Sequence, residues 1–291
     1  MNKSEQKFNI NESVINVDGK EVKFFTSQPL DPIKNNAKRN PIVLVHGTGG
    51  STEIHFGYLF QLLASENRVI SLDFSQPIKA NETLTLEHLE KQVEAVIEAA
   101  ALGEPVTLIG YSLGAVVTAS VAAKRPDRVC NLVLIAGWMK TDLQLEQFLS
   151  VWRQLYEIQS PAIADFVMFC AFSGASHVNM SPDQFAVSFE NAIPEEFEAL
   201  QMDLNGRVDI TQIVPTIKAT TLIIGCTHDQ MTPIRHSKAL FGAIQDARFT
   251  EIACGHAVVY ERPAQLAQII DQFCADPSLY PAGTLIPADQ S

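Results

Sequence analysis

The stretch "PVTLIGYSLGAVVTASVAAKRPD", Pro105–Asp127, changes character at its centre. Val106 to Ile109 is a short apolar, largely β-branched run, and Ala115 onward is a run of small and apolar residues that ends at Pro126. The first half reads as a buried strand and the second as a helix. Between them stands Ser112, with Gly110 two residues before it and Gly114 two residues after. In a parallel sheet the carboxyl ends of the strands form the face where ligands bind, and a serine on the strand-to-helix turn projects there. Such a turn is sharp and strained, and side chains at the flanking positions would collide with strand or helix, so glycine at both is a steric requirement. The helix start adds free N–H groups and the positive end of its dipole beside the serine oxygen.

Outward from this turn the same rhythm repeats. "PIVLVHGTGG" (Pro41–Gly50) is a strand running into a glycine turn, and "RVISLDF" (Arg68–Phe74) is a strand. The amphipathic segment Thr83–Gly103 is a helix with glycine after its last turn, and "CNLVLIAG" (Cys130–Gly137) is a strand. Near the N-terminus, Asp18-Gly19 separates two alternating apolar runs and predicts a β-hairpin. A polar break, Lys34–Asn40, follows. Strands alternating with helices of this length predict an α/β fold with a mostly parallel sheet covered on both faces.

The rhythm stops between Met139 and Ile213. That stretch is helical in pattern and carries Phe148, Trp152, Tyr156, Phe166, Phe169, Phe172, Phe185, Phe189 and Phe197, which read as helix-packing core. It is expected to form an inserted helical cap. The alternation then resumes with strand and loop Ala219–Asp229, helix Pro233–Ile244, strand and loop Ala247–His256, and helix Arg262–Ala275. The expected organisation is therefore a core of residues 1–138 and 214–275, a cap of 139–213, and a proline-containing tail of 276–291, extended or frayed.

The 291 residues are 46% hydrophobic and carry a formal net charge of −12, enough for one large α/β domain with an insertion. Neither nucleic acid nor an anionic membrane surface is an expected partner, because both would require clustered Lys and Arg. The polar opening "MNKSEQKFNINES" has no signal-peptide pattern and no apolar run reaches the roughly 18 residues of a spanning helix, so a cytoplasmic protein is expected. Five scattered cysteines without a CxxC fit buried small hydrophobes in a reducing compartment. No metal-ligand spacing such as H-E-x-x-H occurs, and neither a metal nor a stored cofactor is expected.

A serine hydroxyl is a weak nucleophile unless a base takes its proton, which requires a histidine and a carboxylate to orient it. His256 directly follows the last strand, at the same face as Ser112; His228 and His236 lie near the preceding strand, His88 in a helix and His177 in the cap. Among carboxylates, Asp229 follows the strand before His256, and Asp142, Asp203 and Asp209 are weaker alternatives.

With "VLVHGTGG", "VISLDF", "LIGYSLGA", "IIGCTHDQMTP" and "CGHAVVYERP" in this order, the chain resembles the α/β-hydrolase-fold serine hydrolases of the capped esterase, lipase and carbon–carbon hydrolase kind. The resemblance implies Ser112 as nucleophile, His256 as general base and acid, and Asp229 as orienting carboxylate. It also implies an oxyanion hole from the backbone N–H groups of Thr48 and Leu113, with His46 bracing the loop. A serine rather than an aspartate at 112 argues against the haloalkane dehalogenase and epoxide hydrolase branches. The "HGTGGS" loop lacks the lysine of a phosphate-binding loop.

The expected reaction is hydrolysis of an ester, thioester or lactone of a small-molecule apolar or aromatic acyl substrate through an acyl-enzyme. Carbon–carbon hydrolysis, perhydrolysis and acyl transfer use the same triad, and a non-catalytic ligand receptor on the same scaffold is the reading from another class. Residues 139–213 hold three basic and eleven acidic residues, a poor field for a polyanionic substrate such as a coenzyme A thioester.

Overall fold

In the computed structural model, residues 8–29, 39–77, 83–179 and 193–287 are described. Most of the polar break, Phe185, Phe189 and the last four residues of the tail lie outside them.

Eight strands form one sheet: β1 (Phe8–Val17), β2 (Lys20–Pro29), β3 (Ile42–Val45), β4 (Val69–Asp73), β5 (Val106–Tyr111), β6 (Val129–Ile135), β7 (Thr220–Cys226) and β8 (Ala247–Ile252). Their order is β1-β2-β4-β3-β5-β6-β7-β8. The β1–β2 hairpin turns at Asp18 (φ 49°) and Gly19 (φ 85°), two successive left-handed residues that match the twist of the flanking strands. β2 pairs antiparallel with β4, and from β4 to β8 all pairs are parallel. After β3 the chain passes through α1 (Thr52–Ala64) to β4 on one side, then through α2 (Leu86–Ala100) to β5 on the other. The direction of winding thus reverses at β3, and the crevice for a ligand opens beyond the carboxyl ends of β3 and β5.

Side-chain alternation divides the core. Val43 and Val45 of β3 face one apolar cluster together with Leu108 of β5, α2, and α3 (Leu113–Lys124). Ile42, Leu44, Ile109 and Tyr111 face a second cluster, with α1 and α10 (Pro263–Ala275). Helix starts follow local chemistry. Ser51 caps α1 by accepting from Ile54 N at 3.1 Å, and at α2 Thr85 and His88 form a reciprocal capping pair, which is the role of that histidine.

The helical insert lies between β6 and β7 and contains α4 (Leu143–Glu157), α5 (Ala162–Ala171), α6 (Gly174–Asn179) and α7 (Glu196–Gly206). Its two ends meet in a short antiparallel stem, Thr141 N donating to Val208 O at 3.0 Å and Ile210 N to Met139 O at 2.8 Å. Phe148 stacks on Phe166 and Trp152 on Tyr156, with ring centroids 5.2 and 5.1 Å apart. Phe148, Trp152 and Phe172 are buried as the aromatic pattern predicts, but Phe169 is 64% exposed and is not core. Beyond the insert, a 3₁₀ turn (Val214–Thr216) leads into β7, α8 (Arg235–Ala243) joins β7 to β8, and α9 (Val258–Glu261) precedes α10.

Of the two expectations for the tail, extended or frayed, the described part through residue 287 follows the first. Phe249 N donates to Thr284 O at 3.0 Å, Ile286 N to Phe249 O at 2.8 Å, and Arg248 Nε to Tyr280 O at 2.6 Å. Backbone pairing along the outer side of β8 supplies partners that the proline content alone does not reveal.

At the central turn, a Cβ on Gly114 would strike the carbonyl oxygens of Val45 and His46, and one on Gly110 would strike Gly114 O and Thr118 Oγ1. Gly114→Ala is expected to cost about 2–3 kcal/mol in urea unfolding, since backbone has to move. Gly57→Ala, where the added Cβ meets nothing within 4 Å inside α1, is expected to be neutral or stabilising by up to about 1 kcal/mol.

Candidate active site

Ser112 sits at φ 56°, ψ −121°, a conformation that costs a non-glycine residue about 1–3 kcal/mol. The surroundings impose it. Ser112 N donates to Ile135 O at 2.9 Å, Ala115 N donates to Ser112 O at 2.9 Å, and the two glycines let α3 close against β3 and β5. The Ser112 side chain makes no capping bond to α3, so the serine is not there to start the helix.

Its hydroxyl oxygen instead lies 2.9 Å from His256 Nε2. His256 Nδ1 lies 2.7 Å from Asp229 Oδ2, and the Asp229 side chain is fully buried. Parallel register brings the three together. Tyr111, Cys226 and Ile252 end β5, β7 and β8 at one edge of the sheet, and the loops beyond them carry Ser112, Asp229 and His256. Asp229 Oδ1 accepts from Met231 N at 2.9 Å and Thr232 N at 2.8 Å, which fixes the carboxylate plane. Tyr111 OH holds the His256 carbonyl at 2.9 Å.

Thr232 is a member of this site that the sequence reading misses. Its hydroxyl lies 2.9 Å from Asp229 Oδ2, 3.1 Å from His256 Nδ1 and 3.0 Å from Ala136 O. The available signal is a hydroxyl three residues after a loop aspartate, in "DQMT".

The other candidates are occupied elsewhere. Asp142 caps α4 through Leu145 N at 3.1 Å and pairs with Arg235 at 2.5 Å. Asp203 pairs with Arg207 at 3.0 Å and Asp209 with Lys140 at 2.8 Å. His236 lies 3.2 Å from Asp142, and His177 packs near Phe169 and Phe172.

The "HGTGG" loop passes so close to the serine that a Cβ on Gly47 would lie 2.9 Å from Ser112 Cβ. Two histidines hold it. His46 Nε2 accepts from Phe74 N at 3.0 Å and its Nδ1–H donates to Gly47 O at 2.8 Å, which defines a neutral ring whose pKa burial lowers. His55 Nδ1 accepts from Gly47 N at 3.2 Å; burial, with His46 and His256 nearby, lowers its pKa to about 3. Gly49 N donates to Gln201 Oε1 at 2.8 Å, and Gly50 N to Gly47 O at 3.2 Å. Among the described residues, the N–H groups of Thr48 and Leu113 meet no acceptor. These are the two donors that the sequence resemblance implies.

Chemically, an imidazole held between a hydroxyl and a buried carboxylate can take up the hydroxyl proton, and two unengaged N–H groups near it can receive an anionic oxygen. Among the described residues no group of three or more His, Cys, Asp or Glu side chains is placed to hold a metal ion. No described helix is long and apolar enough to cross a membrane.

Residues 40–263 match the family model for the alpha/beta hydrolase fold. A pyrrolizixenacetamide deacetylase from Xenorhabdus hominickii is 31% identical over 239 residues, which cover 80% of this chain and 90% of that protein. Among solved structures, MGS-M2, an alpha/beta hydrolase enzyme from a Medee basin deep-sea metagenome library, superposes with a TM-score of 0.79 at 20% identity, covering 90% of this chain and 97% of its own. The enol-lactonase from Burkholderia xenovorans LB400 superposes with a TM-score of 0.74 at 19% identity, covering 91% of this chain and 100% of its own. The chain belongs to the alpha/beta-hydrolase fold family, and its activity is of the hydrolase class.

The buried neutral histidines give a signed pH dependence. Because folding lowers the pKa of His55 from 6.5 to about 3, the unfolded chain takes up the proton first as pH falls. This contribution to stability is complete above about pH 6.5 and is lost progressively toward pH 3. Urea midpoints measured across that window are expected to fall with pH. His55→Asn, whose Oδ1 can accept from Gly47 N, is expected to flatten the slope; an unchanged slope would assign the acid sensitivity to other groups.

Proposed function

We propose that the protein is a serine hydrolase that works through an acyl-enzyme, with Ser112, His256 and Asp229 as its catalytic triad. The observation that carries this reading is the unbroken chain of contacts from Ser112 Oγ to His256 Nε2 at 2.9 Å and from His256 Nδ1 to Asp229 Oδ2 at 2.7 Å.

Ser112 Oγ attacks the substrate carbonyl carbon while its proton passes to His256 Nε2. Asp229 keeps the ring in the tautomer with a proton on Nδ1 and stabilises the imidazolium. The carbonyl oxygen, now anionic, receives hydrogen bonds from Thr48 N–H and Leu113 N–H, each worth roughly 3–4 kcal/mol to the barrier. When the tetrahedral species collapses, His256 gives its proton to the leaving oxygen, sulfur or nitrogen. Water, deprotonated by His256, then attacks the acyl-enzyme and releases the acid. No step calls for a metal or a cofactor.

The substrates proposed are small-molecule esters, thioesters or lactones with an apolar acyl group. The Xenorhabdus hominickii relative is named for deacetylating an acetamide, which supports extending the class to acetyl amides. In the same reading, residues 139–213 act as a cap over the site. Its contacts with Gly49 and Thr48 place α7 against the loop beside Ser112.

Ser112→Ala is expected to lower kcat on p-nitrophenyl acetate by at least about 10³-fold without changing the unfolding midpoint, and Asp229→Asn by about 10⁴-fold. A fluorophosphonate probe is expected to add its mass to the peptide holding Ser112. Folded protein that neither hydrolyses the ester nor takes the label would favour a ligand-binding role instead.

A further inference from the structure

Beside the Thr48 loop lies a carboxyl group that the proposed reaction does not use. Glu198, Gln201 and Asn205 occupy one face of α7, three and four residues apart. Gln201, 1% exposed, receives Gly49 N–H, and Asn205 Nδ2 donates to Thr48 Oγ1 at 2.9 Å. Glu198 lies over the same loop. A Cβ on Gly49, which has φ 65°, would lie 2.8 Å from its carboxyl carbon and 2.9 Å from Oε2. The missing side chain at Gly49 is what makes room for this carboxyl.

Unlike its two neighbours, Glu198 has no hydrogen-bond or ion-pair partner among the described residues. The local cations are all engaged elsewhere. Lys140 pairs with Asp209 at 2.8 Å and Arg153 with Asp203 at 3.7 Å, while Arg207 pairs with Asp203 at 3.0 Å and donates to Leu84 O at 2.7 Å. These are the only basic residues in 139–213, against eleven acidic ones. Glu198 is half-buried, and partial burial, reinforced by Glu195, pushes its carboxyl up to about 7 with no cation beside it.

Burying a charge is costly unless it is paired, and an acidic surround raises the local concentration of cations. The carboxyl beside Gly49 and the serine beside Gly47 flank one tight turn, two residues apart along the loop. That shared loop suits a substrate with an ammonium group a few bonds from the scissile carbonyl.

We propose that Glu198 recognises a cationic group, an ammonium, carried by the substrate, so that this site prefers amine-bearing acyl compounds. This rests on the serine-hydrolase reading above and narrows its substrate class.

The test compares charged substrates with their uncharged carbon isosteres at pH 8. One pair is acetylthiocholine and S-(3,3-dimethylbutyl) thioacetate, with the cation in the leaving group. The other is the p-nitrophenyl esters of 4-(trimethylammonio)butanoate and 5,5-dimethylhexanoate, with the cation in the acyl group. In at least one pair the wild type is expected to favour the cation by tenfold or more in kcat/KM, and Glu198→Gln to bring that ratio within twofold of unity. Calorimetric titration of the preferred cation into Ser112→Ala and Ser112→Ala/Glu198→Gln reads recognition without turnover, with a Kd at least tenfold weaker in the double variant. A wild type indifferent to charge in both pairs, a preference that survives Glu198→Gln, or equal affinities in the calorimeter would overturn the proposal. If the wild type hydrolyses none of the four, p-nitrophenyl acetate turnover and fluorophosphonate labelling of Ser112 decide the serine-hydrolase reading separately, and titration of acetylthiocholine still decides whether Glu198 binds the cation.

Discussion

The approach of α3 to the carbonyl of Val45 is the constraint on which the rest of the molecule depends. A helix can begin there only if its second residue, Gly114, has no side chain and if the strand before it also narrows to a glycine, Gly110. Meeting both conditions forces Ser112 into a backbone conformation that an isolated chain would avoid. The surrounding sheet stabilises it through Ile135 O on one side and the β3 loop on the other. Strain at one residue is thereby offset by the packing of three strands and a helix, and the serine oxygen is left at the mouth of the winding reversal.

Around this turn, polar groups hold loops rather than strands. His46 and His55 are kept neutral and spend their ring nitrogens on Gly47 and Phe74, so the loop beside the serine is fixed from below. From above, the helical insert contributes Gln201 and Asn205 to the same loop. It also contributes the carbonyl of Ala171, which accepts from Ala257 N at 2.9 Å, next to His256. Glu261 joins the two parts again, accepting from Gly255 N at 2.8 Å and from Ser173 N at 3.0 Å. The loops of Thr48 and His256 are each held by both the sheet and the insert, so the geometry around Ser112 is a property of the two parts together.

Much of this is legible in the sequence because steric and periodic constraints act locally. The strand–helix alternation, the Asp18-Gly19 hairpin and the glycines around Ser112 are each set by a few neighbouring residues, and the structure places each where the pattern puts it. His256 and Asp229 could be singled out because each follows a strand at the same edge of the sheet. Gln201 and Asn205 could not, because their roles depend on which loop a helix from a distant part of the chain is packed against, and Thr232, though only three residues from Asp229, reaches His256 through a contact between two separate loops. The aromatic pattern of the insert mispredicts Phe169 for the same reason: helical periodicity identifies an apolar face but not what covers it. Proline content left the tail open between extended and frayed, and the pairing of Thr284 and Ile286 with Phe249 that makes it the former is a long-range event that composition does not encode.

That tail has a consequence for how the sheet meets other molecules. β8 is the last strand in the order, and its outer row of backbone groups would otherwise be a template on which a foreign strand could grow. By laying Gly283–Ile286 beside Ala247–Phe249, the chain occupies the first half of that edge with its own backbone. The opposite end is guarded differently, by the long β1–β2 hairpin with its cross-strand Glu12–Lys23 ion pair at 3.1 Å. The two ends of one sheet are thus finished differently, one partly covered by irregular chain and the other formed by a hairpin that carries a cross-strand charge pair.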